Sequence, residues 1–218
     1  ANADIYGNIL YNNHDTTYNA AYFSQNIRLT GADTVNIYNN TIYEAAIPSG
    51  AGGAIYVGGN GAITLVNNIV HATDAPCLYD TNGYVDTVTN NIFYRASGTA
   101  VDSSSDYTSA QVSNYGTNNL GSDPAFTGGT LPTGFSGTYG SNMVPNTDYF
   151  QLTVDSPAKD TGATLASYTG CINGAGLTTP IVRPLGAAFD IGAYEYGTVA
   201  QSGGSAGQGF FLQGVTIR

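Results

Sequence analysis

Charge is what this chain has least of. Only 9% of its 218 residues are Asp, Glu, Lys or Arg, against roughly 25% in ordinary globular domains. Five are basic (Arg28, Arg95, Lys159, Arg183 and Arg218) and 15 acidic, for a formal charge of −10. Phosphate contacts need clustered Lys and Arg, so nucleic acid is not expected as a partner. Anionic membrane surfaces are disfavoured for the same reason. No apolar run approaches the ~20 residues that span a bilayer, so membrane insertion is not expected either. No basic-then-apolar leader opens the chain. Tryptophan is absent and there are two cysteines, Cys77 and Cys171. Two thiols so far apart make no disulfide framework, and their spacing is not that of a metal site. Their pairing stays open.

Polarity comes instead from Asn, Ser, Thr, 29 Gly and 17 Tyr. With 42% hydrophobic residues this is no disordered acidic tail. A neutral-polar, β-rich surface of this kind suggests an extracellular or cell-surface protein.

Five Asn-centred segments recur in the first half. They are Gly7-Asn8-Ile9-Leu10-Tyr11, Asn39-Asn40-Thr41-Ile42-Tyr43, Asn67-Asn68-Ile69-Val70-His71, Asn90-Asn91-Ile92-Phe93-Tyr94 and Asn118-Asn119-Leu120. The key residues are Asn8, Asn40, Asn68, Asn91 and Asn119, at intervals of 32, 28, 23 and 28 residues. Self-similarity at such a period signals a stacked repeat. The runs between the turns are short, apolar or alternating, and β-branched, with turn signals such as Gly58-Gly59, Asn82-Gly83 and Ser97-Gly98. An all-β parallel β-helix (a β-solenoid) is therefore expected, right-handed as parallel crossovers are. Asn suits its turns because it tolerates left-handed backbone and its amide can bond the coils above and below. The five asparagines are expected to form a ladder. The same position in Asn39-Asn40-Thr41 makes a stacked Asn a better reading than a glycosylation sequon.

Three segments follow from the pattern: coils over 1–120, an irregular closing segment over 121–198, and a linker with a terminal strand over 199–218. The linker is rich in Gly and Ser and reads as a flexible tether. About twelve residues of it span some 20 Å on average, or about 40 Å fully stretched. The terminal run Phe210-Phe211-Leu212-Gln213-Gly214-Val215-Thr216-Ile217-Arg218 is a β-strand pattern without a local partner. At about 25 cal/mol per Å² such apolar surface disfavours exposure. Phe210, Phe211, Leu212, Val215 and Ile217 are therefore the candidates for strand addition to an edge, in this chain or in another copy. The chain opens on Ala3-Asp4-Ile5-Tyr6, already strand-like, which offers such an edge.

A resemblance adds to this. In order along the chain stand Asn119-Leu120-Gly121-Ser122-Asp123-Pro124-Ala125-Phe126, Phe150-Gln151-Leu152, Ser156-Pro157-Ala158-Lys159-Asp160-Thr161-Gly162, Arg183-Pro184-Leu185-Gly186 and Asp190-Ile191-Gly192-Ala193-Tyr194-Glu195. The series resembles the closing segment of secreted bacterial right-handed parallel β-helix proteins of the pectate-lyase-like kind. The resemblance covers about 119–197 and implies fold and export. Its family includes polysaccharide lyases and glycoside hydrolases, and also structural members, so activity does not follow.

Few groups are available for such chemistry. A lyase of that family uses Lys or Arg as base, and outside the closing segment and tail only Arg28 and Arg95 remain. A glycosidase needs carboxylates at a set separation. Asp4, Asp15, Asp33, Glu44, Asp74, Asp80, Asp86, Asp102 and Asp106 form no tight cluster and read as solvated loop groups. His14 and His71 stand alone. Asp80, Asn82 and Asp86 place three oxygen donors around a Gly turn, a partial calcium pattern. Recurrent tyrosines (Tyr6, Tyr11, Tyr38, Tyr43, Tyr56, Tyr79, Tyr84 and Tyr94) could stack sugar rings or stabilise the coils. The expectation is thus a non-catalytic structural protein that joins its own copies head to tail. The alternative is a carbohydrate-active protein, a lyase, hydrolase or binding module for an extracellular polysaccharide.

Overall fold

The computed structural model describes residues 2–11, 25–31, 34–44, 52–59, 61–80, 82–128, 136–138, 141–144, 148–167, 170–171, 181–197 and 216–217. Strands come in threes. The first circuit holds β1 (Asn2–Tyr6), β2 (Ile9–Tyr11) and β3 (Ile27–Leu29). The second holds β4 (Thr34–Tyr38), β5 (Thr41–Glu44) and β6 (Ile55–Val57). The third holds β7 (Ile63–Val66), β8 (Ile69–Ala72) and β9 (Leu78–Tyr79). The fourth holds β10 (Val85–Thr89), β11 (Ile92–Tyr94) and β12 (Thr99–Asp102). Each set of three visits the three sheets in the same order. β1, β4, β7 and β10 build the first sheet, β2, β5, β8 and β11 the second, and β3, β6, β9 and β12 the third. All these neighbours are parallel.

The alternation of side chains along each strand explains the packing. Val35, Ile37, Ile63 and Leu65 of the first sheet point to the same interior as Ile42, Val70 and Phe93 of the second. Ile27, Ile55, Leu78 and Val101 of the third complete that core. The other face of the second sheet is not left to solvent. Its Ile69 and Ile92 pack on Leu152, Ala158 and Ile191, and its Tyr43 on Phe150 and Tyr194. Every residue of β5 is consequently buried.

The turn from first to second sheet recurs with one geometry. Gly7, Asn39, Asn67, Asn90 and Asn118 hold φ of 66°, 54°, 58°, 52° and 55°. That left-handed region is open to Gly and tolerated by Asn, which is why the residue before each ladder asparagine is one or the other.

At one end of the stack β13 (Asp106–Thr108) folds back antiparallel on β12, and a 3-10 helix (Ser109–Asn114) follows. Thr117 and Leu120 then bridge in parallel to Thr89 and Ile92. Further strands are β14 (Ser136–Thr138) with β15 (Ser141–Val144), and β16 (Gly170–Cys171) with β17 (Ile181–Val182), each pair antiparallel. At the other end β18 (Thr216–Ile217) runs antiparallel to β1.

The segment over the second sheet is held by main-chain bonds. Gly192 N–H donates to the Asn67 carbonyl (2.8 Å) and Ala193 N–H to Thr41 Oγ1 (3.0 Å). A side chain at 192 would clash, since a Cβ there would sit 2.7 Å from Ile69 Cδ1. Asn67 exchanges two bonds with Ala163, each of 2.7 Å. Beneath lies a buried polar knot. The Arg183 guanidinium lies 3.2 Å from Glu195 Oε1 and donates to the carbonyls of Asp190 (2.8 Å) and Gly192. Glu195 in turn accepts from the N–H groups of Asp190 (3.0 Å) and Leu185 (3.1 Å).

Candidate functional site

The asparagine ladder runs through the turn between the first and second sheets. Asn8 donates from N and Nδ2 to Asn40 Oδ1, both at 3.0 Å. Asn40 donates likewise to Asn68 Oδ1 (3.1 and 3.0 Å), and Asn68 to Asn91 Oδ1 (2.9 and 3.0 Å). Asn91 donates to Asn119 Oδ1 (2.9 and 3.2 Å). The second amide hydrogens go to main-chain carbonyls, such as Ile5 for Asn40 (2.9 Å) and Ile37 for Asn68 (2.8 Å). All five side chains are buried. The ladder therefore ties circuits together, and it offers no ligand a contact.

β1 is where a partner strand meets the sheet. Ala3 pairs with Ile217 and Asp4 with Thr216. Phe210, Phe211, Leu212 and Val215, the other candidates for strand addition, lie outside the described residues.

Arg95 and Arg183 are committed to internal contacts. Arg95, in the link between β11 and β12, donates to the carbonyls of Thr73 (3.1 Å), Asp74 (2.8 Å) and Thr99 (2.9 Å). Arg28 is elsewhere, on the outward face of β3, with its guanidinium 5.3 Å from the Tyr56 ring centroid. The two do not share a site. Lys159 lies 4.3 Å over the Tyr196 ring.

The expectation of solvated carboxylates is corrected at two positions. Asp80 and Glu44 are fully buried. Asp80 accepts from the N–H groups of Tyr84 (2.8 Å) and Val85 (3.2 Å), and from the Tyr115 hydroxyl (3.4 Å). It nucleates the turn rather than facing water. Glu44 accepts from Asn26 Nδ2 (2.7 Å). Of the other calcium candidates, Asn82 is exposed, and one oxygen of Asp86 accepts from Ile63 N–H (3.0 Å). No group of three His, Cys, Asp or Glu is arranged for a metal among the described residues. Asp102 faces Asp106 across the β12–β13 hairpin. Partial burial, then the Asp106 charge, raise its carboxyl above the usual range.

The tyrosines divide by sheet. Tyr11, Tyr43, His71 and Tyr94 stand in register on the outward face of the second sheet. Phe126, Tyr149 and Phe150 cover that column. It is thus a packing seam rather than a sugar platform. On the third sheet Tyr56 and Tyr79 stack with centroids 5.5 Å apart and planes at 10°, flanked by Arg28. In register, Arg28, Tyr56 and Tyr79 make a partly exposed row, and Asp102 continues it. This row follows the same repeat, at 28, 23 and 23 residues, but was not legible as a unit because its members share no single residue type.

Cys77 is a free, buried thiol whose Sγ donates to the Tyr94 carbonyl (3.3 Å). Burial pushes it up to about 12, so it is unreactive at neutral pH. His14 lies outside the described residues. His71 meets Tyr43 and Tyr94 edge-on, each at 4.9 Å, and Phe126 in parallel at 6.4 Å. Its Nδ1 is buried without a partner. Burial lowers its pKa, with Asp123 pulling the other way. A folded value below the unfolded one means stability is complete above about pH 6.5 and is lost as pH falls through the folded value. His71→Phe should flatten that acid limb. Thermal unfolding from pH 7.5 to 5 checks this, and a variant curve parallel to the wild type's would refute it.

Comparison with protein-family models, with curated proteins and with solved structures finds no match to this chain. What stands is the class defined by its architecture: an all-β chain of three largely parallel sheets joined by an asparagine ladder.

Proposed function

We propose that this chain is a right-handed parallel β-helix that serves as a non-catalytic structural element, outside the cell or on a bacterial surface. Its copies join head to tail through the C-terminal strand. The observation that carries the reading is the antiparallel seating of β18 on β1, the edge of an otherwise parallel sheet. Strand addition draws its affinity from main-chain hydrogen bonds and needs no specialised pocket. A head-to-tail contact that does not close builds a filament. The commitment of Arg95, Arg183 and Lys159 to internal contacts supports a structural role over a catalytic one.

Deleting 199–218 is expected to abolish assembly and leave the circular dichroism of the β stack intact. Negative-stain imaging and sedimentation of both chains decide it. Identical fibres from the truncated chain, or a strictly monomeric full chain at high concentration, would end this reading.

A second reading has one observation in its favour, the row of Arg28, Tyr56 and Tyr79. It would make the chain a binding module for an acidic polysaccharide, with Arg28 meeting carboxylates and the tyrosines meeting sugar rings. Binding of polyuronate that Arg28→Ala and Tyr56→Ala both remove would favour it.

A further inference from the structure

β1 has two edges. Along one it pairs with β4 in continuous parallel register, from Asn2 and Thr34 to Tyr6 and Tyr38. Gly7 N–H donates to the Tyr38 carbonyl, so by alternation the odd-numbered amides of this strand face β4 and that of Asp4 faces β18. An edge is a single row of N–H and C=O groups, and one strand saturates it.

The faces of β1 differ. Ala3 and Ile5 pack toward the core, while Asp4 Oδ1 accepts from Asn36 Nδ2 (2.8 Å). Directly opposed positions in an antiparallel pair share a face. Position 217 therefore falls on the core side with Ala3, and position 216 on the outward side with Asp4. The core is less fully covered around β1. Ala3, Ile5, Leu10 and Leu29 are only partly buried, whereas their partners one circuit on, Val35, Ile37, Ile42 and Val57, are 8%, 0%, 0% and 1% exposed.

We infer that the β1 edge is a single-occupancy acceptor for the chain's own terminal strand. Docked in cis, that strand closes the acceptor, and the same strand of a second copy must displace it. The trans partner rests on the head-to-tail reading above; the acceptor and its register do not. A linker with the Gly- and Ser-rich composition of 199–209 would hold a cis strand at an effective concentration in the millimolar range. Closed monomers should therefore prevail in dilute solution, with chains forming as protein concentration approaches that range.

The test is a full-length chain carrying Ala3→Cys and Ile217→Cys, with Cys171→Ser to remove the second native thiol and Cys77 left in its buried place. After mild oxidation, non-reducing gels and peptide mapping read which thiols have joined. The expected result is an internal 3–217 disulfide at micromolar protein and a growing covalent ladder near millimolar. An Ala3→Cys, Thr216→Cys pair, on opposite faces, should join at least tenfold more slowly. Internal disulfides at every concentration with no ladder would leave the acceptor standing and sink the head-to-tail reading. Equal cross-linking from 216 and 217, or none from either, would overturn the acceptor. Amide exchange gives an independent readout without cysteines. Ile217→Asp should speed exchange at Asp4 more than tenfold, and Thr216→Asn should leave it unchanged. Equal effects of the two substitutions would overturn the register.

Discussion

Asn68→Leu is expected to be among the most damaging single substitutions in the stack. The amide of Asn68 accepts two bonds from Asn40 and donates to Asn91 Oδ1 and to the carbonyls of Ile37 and Val66 (3.2 Å). Leucine has similar bulk and none of these atoms. The Asn40 N–H and one hydrogen of the Asn40 amide, both bound to Asn68 Oδ1, would then be buried without partners, at about 1–3 kcal/mol for each unmatched group. A loss of about 2–6 kcal/mol follows from two such groups, a large part of the total stability of a typical domain. Asn8→Leu makes the control. Among the described residues Asn8 uses its side chain only to donate, to Tyr6 O and Asn40 Oδ1, both at 3.0 Å, and about 1 kcal/mol is expected there. Urea unfolding of the two variants measures the difference. Equal midpoints would show that the ladder does not stabilise through its buried amides.

Arg183→Leu should have a comparable effect in another place. Arg183 is 3% exposed and Glu195 1%. Removing the guanidinium strands a buried carboxylate and the carbonyls of Asp190 and Gly192, at about 3–5 kcal/mol. The damage should be local. Gly192 and Ala193, which bond the segment to Asn67 and Thr41, sit beside the knot, so the cover over Tyr43 should loosen before the sheets do. Near-ultraviolet dichroism of the tyrosines and proteolysis within 183–196 report this, with far-ultraviolet dichroism as the reference. Arg183→Leu combined with Glu195→Leu should recover part of the loss, because no unpaired charge then remains. A single variant within about 0.5 kcal/mol of the parent would refute this account of the knot.

The positions of the turns could be read from residues because a backbone with positive φ admits few side chains. At Asn39, Asn67, Asn90 and Asn118 that demand is local. The sequence also told which residues of a strand share a face, since that period is geometric. It picked the second asparagine of each pair for the ladder, as the hydrogen bonds have it, but gave that residue the left-handed backbone too, which belongs to the first. Nor did it tell what covers each face. Tyr43 on β5 and Tyr56 on β6 look alike in sequence, yet Phe150 and Tyr194 bury the first while the second keeps a partly exposed ring.

Asp80 shows the same division. Its neighbours announce a turn, but its burial depends on Tyr115, brought over it from 35 residues away. Arg95 is committed to carbonyls of the preceding circuit, at Thr73 and Asp74. The sequence by itself determined strand, turn and repeat, because these follow from short-range sterics and a two-residue period. Only the tertiary structure decided which polar groups are spent internally and which remain at the surface, because burial and hydrogen-bond partners come from segments distant in the chain.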